Sequence, residues 1–501
     1  METLNEILLN LDENSPMTNK EIAIKEMREF EISEKRKWMD YGEKYYKNKV
    51  KIIDHKRMAI SENGLLREVT NLSNNKLVHS HTRKLVDQKV GYLLGKPMSI
   101  QTDGPDAYED ALKEYFGKQF HRQLKNLGKN AVNAGISWLH PYYDEEGQFK
   151  FRVIPSMEGV PIWKDTDHTE LDAFIRFYDQ DLYVSLSKKT VTVIELWTVH
   201  GVMKFTLDKS IISSYREFDD QWNDHFTFVT KVKNDDGVEE VVETQGLNWE
   251  KVPFIPFKYN DEEMPLVESI KSLVDDYDSR ASDNANNLED SPESILILKG
   301  YGGTDLGVAR RNLRLYRMAE VAPDGGLDSL DINIDTTAVT SHLERERKAI
   351  YEFGRGVDTQ SDKFGNSPSG IALRFLYSDL DMDANIIETE FQSSMEQLLW
   401  FVNQHLKNTT DIDYSEFDVD FIFNRDIPIN ETEAIKNIKE SVGLLSDETL
   451  TAQHPWVTDV PAEMERKEAE ANKAMEEAAN QQFKFDQAQA ALNPPTPDDA
   501  V

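Results

Sequence analysis

Cysteine is absent from all 501 residues, which excludes a disulfide framework and any thiolate metal site and suits a reducing compartment. Nor is there a run of about 18 apolar residues, the length a helix needs to span a bilayer. The opening "METLNEILLNLDENSP" carries acids where a secretory signal needs a basic segment, so neither secretion nor membrane insertion is expected. Positive charge is scarce: 57 Lys and Arg stand against 91 Asp and Glu, for a formal net charge of -34. Wrapping nucleic acid by neutralising phosphates requires clustered cations, so that mode of binding is disfavoured. A polyanion passing nearby without being gripped is compatible with the balance.

Catalytic motifs are missing as well. The chain has no H-E-x-x-H, no G-x-S-x-G and no Gly-rich dinucleotide fingerprint. "GYLLGKP" at 91–97 approaches a phosphate loop, but the spacing is one residue short and Pro97 replaces the hydroxyl that reaches magnesium. It reads as a helix terminus. "DLDMDANIIETE" sets Asp379, Asp381, Asp383, Asn385 and Glu390 at calcium-loop positions, yet Ala384 stands where the turn Gly belongs. Phe375, Leu376, Leu380, Ile387 and Phe391 continue a helical period through the same stretch, so an acid-faced helix is expected instead. His79 and His81 would point to different faces of a helix, with no carboxylate at a ligand offset. No catalytic residue, cofactor or metal site is therefore expected.

What remains is 39% hydrophobic and 30% charged, enough for real cores but, at this length, divided among two or more domains. Helical spacing covers 17–47, 76–94 and 106–134. Between 138 and 259 the pattern changes to short β-branched and aromatic runs such as "FKFRVI" and "TVTVIELWTV", whose short gaps imply antiparallel strands. From 265 a stripe of Leu266, Ile270, Leu273, Val274, Tyr277 and Ala281 marks a helix of about 38 Å. A small mixed unit follows: "SILILKG", a Gly-rich turn, a basic segment with Arg310, Arg311, Arg314 and Arg317, then "LDSLDINID". Those arginines are either a solvated or intersubunit salt-bridging face, or a docking surface for an acidic partner or a local contact with phosphate. Helix returns at 336–353. A flexible stretch leads to "GNSPSGIALRFLYSDLDMDANIIETEF", where Ser367 and Pro368 suit a helix start and residues 371–408 contain no Gly or Pro. Two short strands, near "DVDFIF" and "RDIPI", then helices at 431–446 and 461–491 complete the pattern, with a tail at 492–501 that reads as disordered.

"LVDDYDSRASDNANNLEDSPESILILKGYGG" at 273–303 and "DKFGNSPSGIALRFLYSDLDMDANIIETEF" at 362–391, with "LVDQKVGYLLGKP" upstream, resemble portal proteins of tailed double-stranded DNA bacteriophages, siphophage type of Gram-positive hosts. The resemblance implies an α+β, multidomain protomer that closes into a ring of about twelve subunits at one capsid vertex, through which DNA is packaged and ejected. It implies a wing at 1–264, a stem helix at 265–290, a clip at 291–335 and a second stem helix at 336–353. A tunnel loop at 354–370, a tunnel helix at 371–408, wing return strands at 409–430 and crown helices at 431–491 would follow.

By this resemblance the loop residues Asp358, Lys363, Phe364, Gly365, Asn366 and Ser367 meet DNA, while Asp379, Asp381 and Asp383 on the helix repel its phosphates. The implied partners are the terminase large subunit, a head-completion adaptor, scaffold and major capsid protein, with the four arginines as a clip docking site. The implied location is the virion, after assembly in the host cytoplasm. A scaffold or adaptor without a channel, or a packaging nuclease or ATPase, are the competing readings; the second lacks its phosphate loop and metal cluster.

Overall fold

The computed structural model describes residues 18–60, 63–70, 72–184, 187–208, 215–217, 222–233, 239–290, 294–299, 305, 307, 326–331, 336–360, 370–425, 431–457, 460, 463–475, 477 and 479. The chain divides into two units, one of residues 1–358 and 378–426, the other of 359–377 and 427–501.

In the larger unit, α1 (Asn19–Ile32) begins where Thr18 and Glu21 form a reciprocal capping box, and α2 (Glu34–Tyr46) is capped by the Ser33 hydroxyl accepting from the Arg36 N–H at 3.1 Å. A small hairpin of β1 (Met58–Ile60) and β2 (Leu66–Glu68) precedes α3 (His81–Leu94) and β3 (Ser99–Thr102). The helix expected at 106–134 is two helices, α4 (Asp106–Tyr115) and α5 (Lys118–Ala134), broken at Phe116 and Gly117. On α5, Phe120, Leu124, Leu127 and Ala131 recur every three or four residues and are all buried. Gly135 then turns the chain into the sheet region with φ +83, and a Cβ there would lie 1.9 Å from the Glu263 carbonyl oxygen.

The β-rich region is antiparallel throughout. Strands β4 (Ile136–Tyr143) and β5 (Phe149–Ile154) are followed by β6 (Gly159–Trp163), β7 (Leu171–Val184), β8 (Ser187–Thr198), β9 (Gly201–Asp208) and β10 (Tyr215–Glu217). The last five form one sheet in the order β10-β9-β8-β7-β6. A hairpin of β11 (Phe226–Lys233) and β12 (Glu239–Leu247) leads to β13 (Ile255–Lys258), which pairs with β4 in a second, three-stranded sheet. Ile24, Met27 and Phe30 of α1, Phe174, Ile194 and Phe205 of the larger sheet, and Trp138 and Ile154 of the smaller belong to one buried cluster. Each such side chain contributes about 1.5–3 kcal/mol by leaving water.

Helix α6 (Leu266–Asp290) occupies the stretch where the apolar stripe placed a helix. The strands β14 (Ser294–Lys299) and β15 (Gly326–Asp331) pair antiparallel after it, then α7 (Thr336–Phe353) packs on α6. The long helix α8 (Gly370–Thr410) has 41 residues, about 61 Å of rise. After it, β16 (Val419–Ile422) pairs with β3, a partner more than 300 residues earlier.

In the smaller unit, α9 (Glu431–Glu440) ends before the expected 446, and Gly443 turns the chain with φ +87. The Ser446 hydroxyl caps α10 (Asp447–Ala452), and Asp447 pairs with Lys467 at 2.7 Å.

The histidine pair departs from expectation. Helix α3 starts at His81, because Ser80 adopts left-handed φ 43, ψ 27 ahead of it. Both imidazoles therefore lie together, 6.1 Å apart and nearly parallel, edge-on to Tyr277 at 4.7 and 4.9 Å. A carboxylate is also present, from far along the chain: Asp278 lies 2.8 Å from His79 Nδ1.

Candidate functional site

The acid-bearing turns of α8 meet α3 and the end of α7 in a network that the sequence did not foreshadow. Helix α3 places Leu85, Val86 and Leu93 on its buried face, and Lys89 falls on that same face. The Lys89 side chain is 1% exposed; its ammonium donates to Asp383 Oδ2 at 2.6 Å and to the Arg355 carbonyl at 3.2 Å. Tyr259, just beyond β13, donates its hydroxyl toward both Asp383 oxygens at 3.1 Å. The Arg355 guanidinium lies 3.6 Å from the same carboxylate on its more open side. Asp383 is thus met by two cations and one neutral donor. Burial holds the Lys89 ammonium below its usual pKa, with Asp383 pulling it back up. Burial and then the Asp383 charge raise the Tyr259 phenol well above 10.0, so it serves as a donor.

The same contacts fix the point where α7 ends. The Gly356 N–H bonds the Tyr351 carbonyl at 2.9 Å and the Arg355 N–H that of Glu352 at 3.1 Å, with Arg355 left-handed at φ 47 between them. This is the Schellman terminus, with arginine in the position glycine usually takes. Gly356 lets α3 approach, since a Cβ there would lie 2.1 Å from Leu85 Cδ2. Next, Gln88 clamps Val357 on both sides, donating to its carbonyl at 2.8 Å and accepting its N–H at 3.2 Å. Asp358 pairs with Arg347 at 3.1 Å, its side chain only 12% exposed. The chain is pinned residue by residue from 354 to 358.

These positions revise several expectations. Asp358 is an anchored residue of the larger unit, not part of an open loop, because Arg347 of α7 holds it. Asp383 is 3% exposed and cannot face a bore: its helical phase turns it into the fold beside Lys89. Asp381 is half engaged, accepting from the Tyr92 hydroxyl at 3.0 Å and from Arg425, which also grips Glu388 and Asn385. Asp379 is exposed. Helix α8 runs unbroken through the calcium-like stretch, and a straight helix cannot curl its carboxylates around one ion. Lys363, Phe364, Gly365, Asn366 and Ser367 lie outside the described residues, as do Arg310, Arg311, Arg314 and Arg317.

Lys89, Gln88, Tyr259, Arg355 and Arg425 were missed. The available signal was Lys89, a charge at helical spacing within an apolar stripe. A cavity of about 510 Å³ borders the network, lined in part by Asp261, Glu262, Arg355 and Glu390. Burial, with Asp261, Glu262 and Glu263 nearby, outweighs Lys258 and lifts the Glu390 carboxyl above its usual range. Among the described residues no helix is long and apolar enough to cross a membrane.

The family described as "Phage portal protein, SPP1 Gp6-like" matches residues 31–477. The portal protein of Clostridium phage phiCD119 is 30% identical over 455 residues, 87% of this chain and 94% of that protein. The portal protein of Bacillus phage SPP1 is 28% identical over 411 residues, 81% of this chain and 78% of that one. A chain from the neck of a native gene transfer agent particle aligns with TM-score 0.39 at 13% identity, covering 74% of this chain and 88% of that chain. With the match running from α1 to beyond α10, the chain belongs to the phage portal protein family, SPP1 Gp6-like.

Proposed function

We propose that this chain assembles head to tail into a closed ring of about twelve copies at one vertex of a phage capsid, and that double-stranded DNA enters and leaves through its axis. The observation that carries the reading is the family match across 31–477. In the virion the ring is the channel and the docking platform for the terminase large subunit during filling and for a head-completion adaptor afterwards. Scaffold and major capsid protein meet its outer region, and the segment bearing Arg310, Arg311, Arg314 and Arg317 is the docking surface of the clip. The chain conducts; it does not hydrolyse nucleotide.

The physical logic is weak grip. Every Lys or Arg that neutralises a phosphate strengthens binding and must be released at each step of DNA movement. A chain of net charge -34 avoids that penalty. Of the three acids on α8, Asp379 is the one whose exposure suits a repelling wall, with Asp381 second. The 359–369 segment, including Lys363 to Ser367, supplies transient contact with DNA, and the pinned residues 354–358 give it a rigid root.

Electron micrographs viewed down the assembly axis test the ring; material that stays single-chain under all assembly conditions sinks it. Deleting 361–369, which spares the root, should leave rings intact and abolish DNA packaging or retention. Normal packaging by that deletion would remove the segment from the mechanism. Changing Arg310, Arg311 and Arg314 to Glu should weaken terminase docking more than ring formation.

A further inference from the structure

We propose that Asp276, His342 and Glu346 form a site for one divalent transition-metal ion, with zinc as its type, that cross-links α6 to α7. His342 and Glu346 are four residues apart on α7, about 40° around the helix, so both side chains share the face turned toward α6. Asp276 comes from α6, 66 residues earlier in sequence, which is why no local motif announces the site. One ligand atom from each of the three lies within 4.8 Å of the others. His342 Nε2 and Asp276 Oδ2 are already 3.0 Å apart. Bonds of about 2.0–2.1 Å in a tetrahedral site require ligand atoms roughly 3.3 Å apart. Small side-chain rotations of Glu346 therefore close the set.

A second observation points to a cation. Glu346 Oε2 is shielded from solvent and meets no hydrogen-bond donor among the described residues. A carboxylate oxygen held out of solvent with no donor is unfavourable, and a bound cation offsets that cost. The donor set decides the class. One imidazole with two carboxylates suits zinc and its neighbours, whereas calcium and magnesium prefer all-oxygen shells with more ligands. Two carboxylates cancel the ion's charge, and water completes the coordination.

Two arginines compete with the ion. Arg280 Nε lies 3.3 Å from Asp276 Oδ1, and Arg345 Nη2 lies 3.0 Å from His342 Nδ1. Arginine only donates, so Nδ1 accepts and Nε2 carries the imidazole proton, directed at Asp276. An ion at Nε2 takes the place of that proton, which passes to Nδ1; the exposed Arg345 side chain must then swing away. Neither arginine is a ligand, and removing either should not weaken the site.

The test uses full-length protein stripped with chelator, titrated with cobalt(II) and then competed with zinc. Calorimetry gives the stoichiometry, and the visible cobalt bands report the coordination. One ion per chain is expected. H342A and E346Q should each lose affinity by at least about 10-fold, the lower end of what even outer-shell changes cost. R345A should bind as tightly as the wild type or more so. E346Q removes a charge whose Oε2 meets no donor among the described residues, so its metal-free melting temperature should equal or exceed that of wild type, which separates lost binding from lost folding. Absence of stoichiometric uptake by the wild type, or wild-type binding by H342A or E346Q, overturns the site.

Discussion

Cutting the Lys89–Asp383 pair should unfasten the root at 354–358. With Lys89→Met, the carboxylate keeps the Tyr259 hydroxyl and the Arg355 guanidinium at 3.6 Å, but loses its buried ammonium at 2.6 Å. Removing one member of a buried ion pair costs about 3–5 kcal/mol, because the other charge stays desolvated. Arg355, half exposed, can move toward Asp383, so the lower end of that range is expected for K89M. Asp383→Asn strands the ammonium instead, with the Arg355 carbonyl as its remaining described acceptor, so D383N should cost at least as much. The double variant K89M/D383N contains no stranded charge. Its destabilisation should therefore fall short of the sum of the singles by about 2 kcal/mol or more. Urea unfolding of the larger unit's transition, followed by Trp fluorescence, measures the cycle. Hydrogen exchange at the Gly354, Arg355, Gly356 and Val357 amides gives a local readout, and exchange there should accelerate in either single variant. Strict additivity, or singles within about 0.5 kcal/mol of wild type, would show that the pair neither stabilises the fold nor holds the root.

Other outcomes follow from particular contacts. Tyr259→Phe deletes a hydrogen bond to a charged acceptor and should cost about 1.5–3 kcal/mol, measured by the same unfolding curves. Gly135→Ala combines φ +83 with a Cβ placed 1.9 Å from the Glu263 carbonyl oxygen; it should destabilise by well over 1 kcal/mol, read as a shift in urea midpoint, and wild-type stability would refute the steric argument. Burial pushes His140 down to about 3 and His81 and His405 to about 4. Unfolded imidazoles protonate near pH 6.5 while these stay neutral, so the unfolded state binds more protons between about pH 6.5 and 4. Their contribution, on the order of 3 kcal/mol each, is complete above pH 6.5 and is lost as the pH falls through that window. An unfolding midpoint flat from pH 7 to 4.5 would contradict it.

The periodicities within single segments were legible from sequence. The apolar stripe beginning at Leu266, the alternating runs between 138 and 259, and the Gly- and Pro-free stretch after 370 each encode an element through neighbours a few residues away, where local geometry governs. The family was legible for the same reason, from contiguous motifs at 273–303 and 362–391. Element boundaries set by one residue were harder: Gly117 divides what reads as a single helix, and left-handed Ser80 delays α3 and brings His79 and His81 together.

Which way an acid faces was not legible. Asp379, Asp381 and Asp383 look alike in the linear pattern, yet one is exposed, one is gripped by Arg425 and one is buried against Lys89. The difference arises from partners 40 to nearly 300 residues away. Helical phase narrows a residue to one side of α8, but only the packing of α3 and of the segment after β13 determines whether that side meets water. The Asp276, His342 and Glu346 cluster has the same origin, since it exists only where two helices meet. Sequence alone thus determined the elements and the family. Tertiary packing alone decided which charges are paired inside the fold and which are left exposed, because desolvation and ion pairing depend on neighbours brought close by folding.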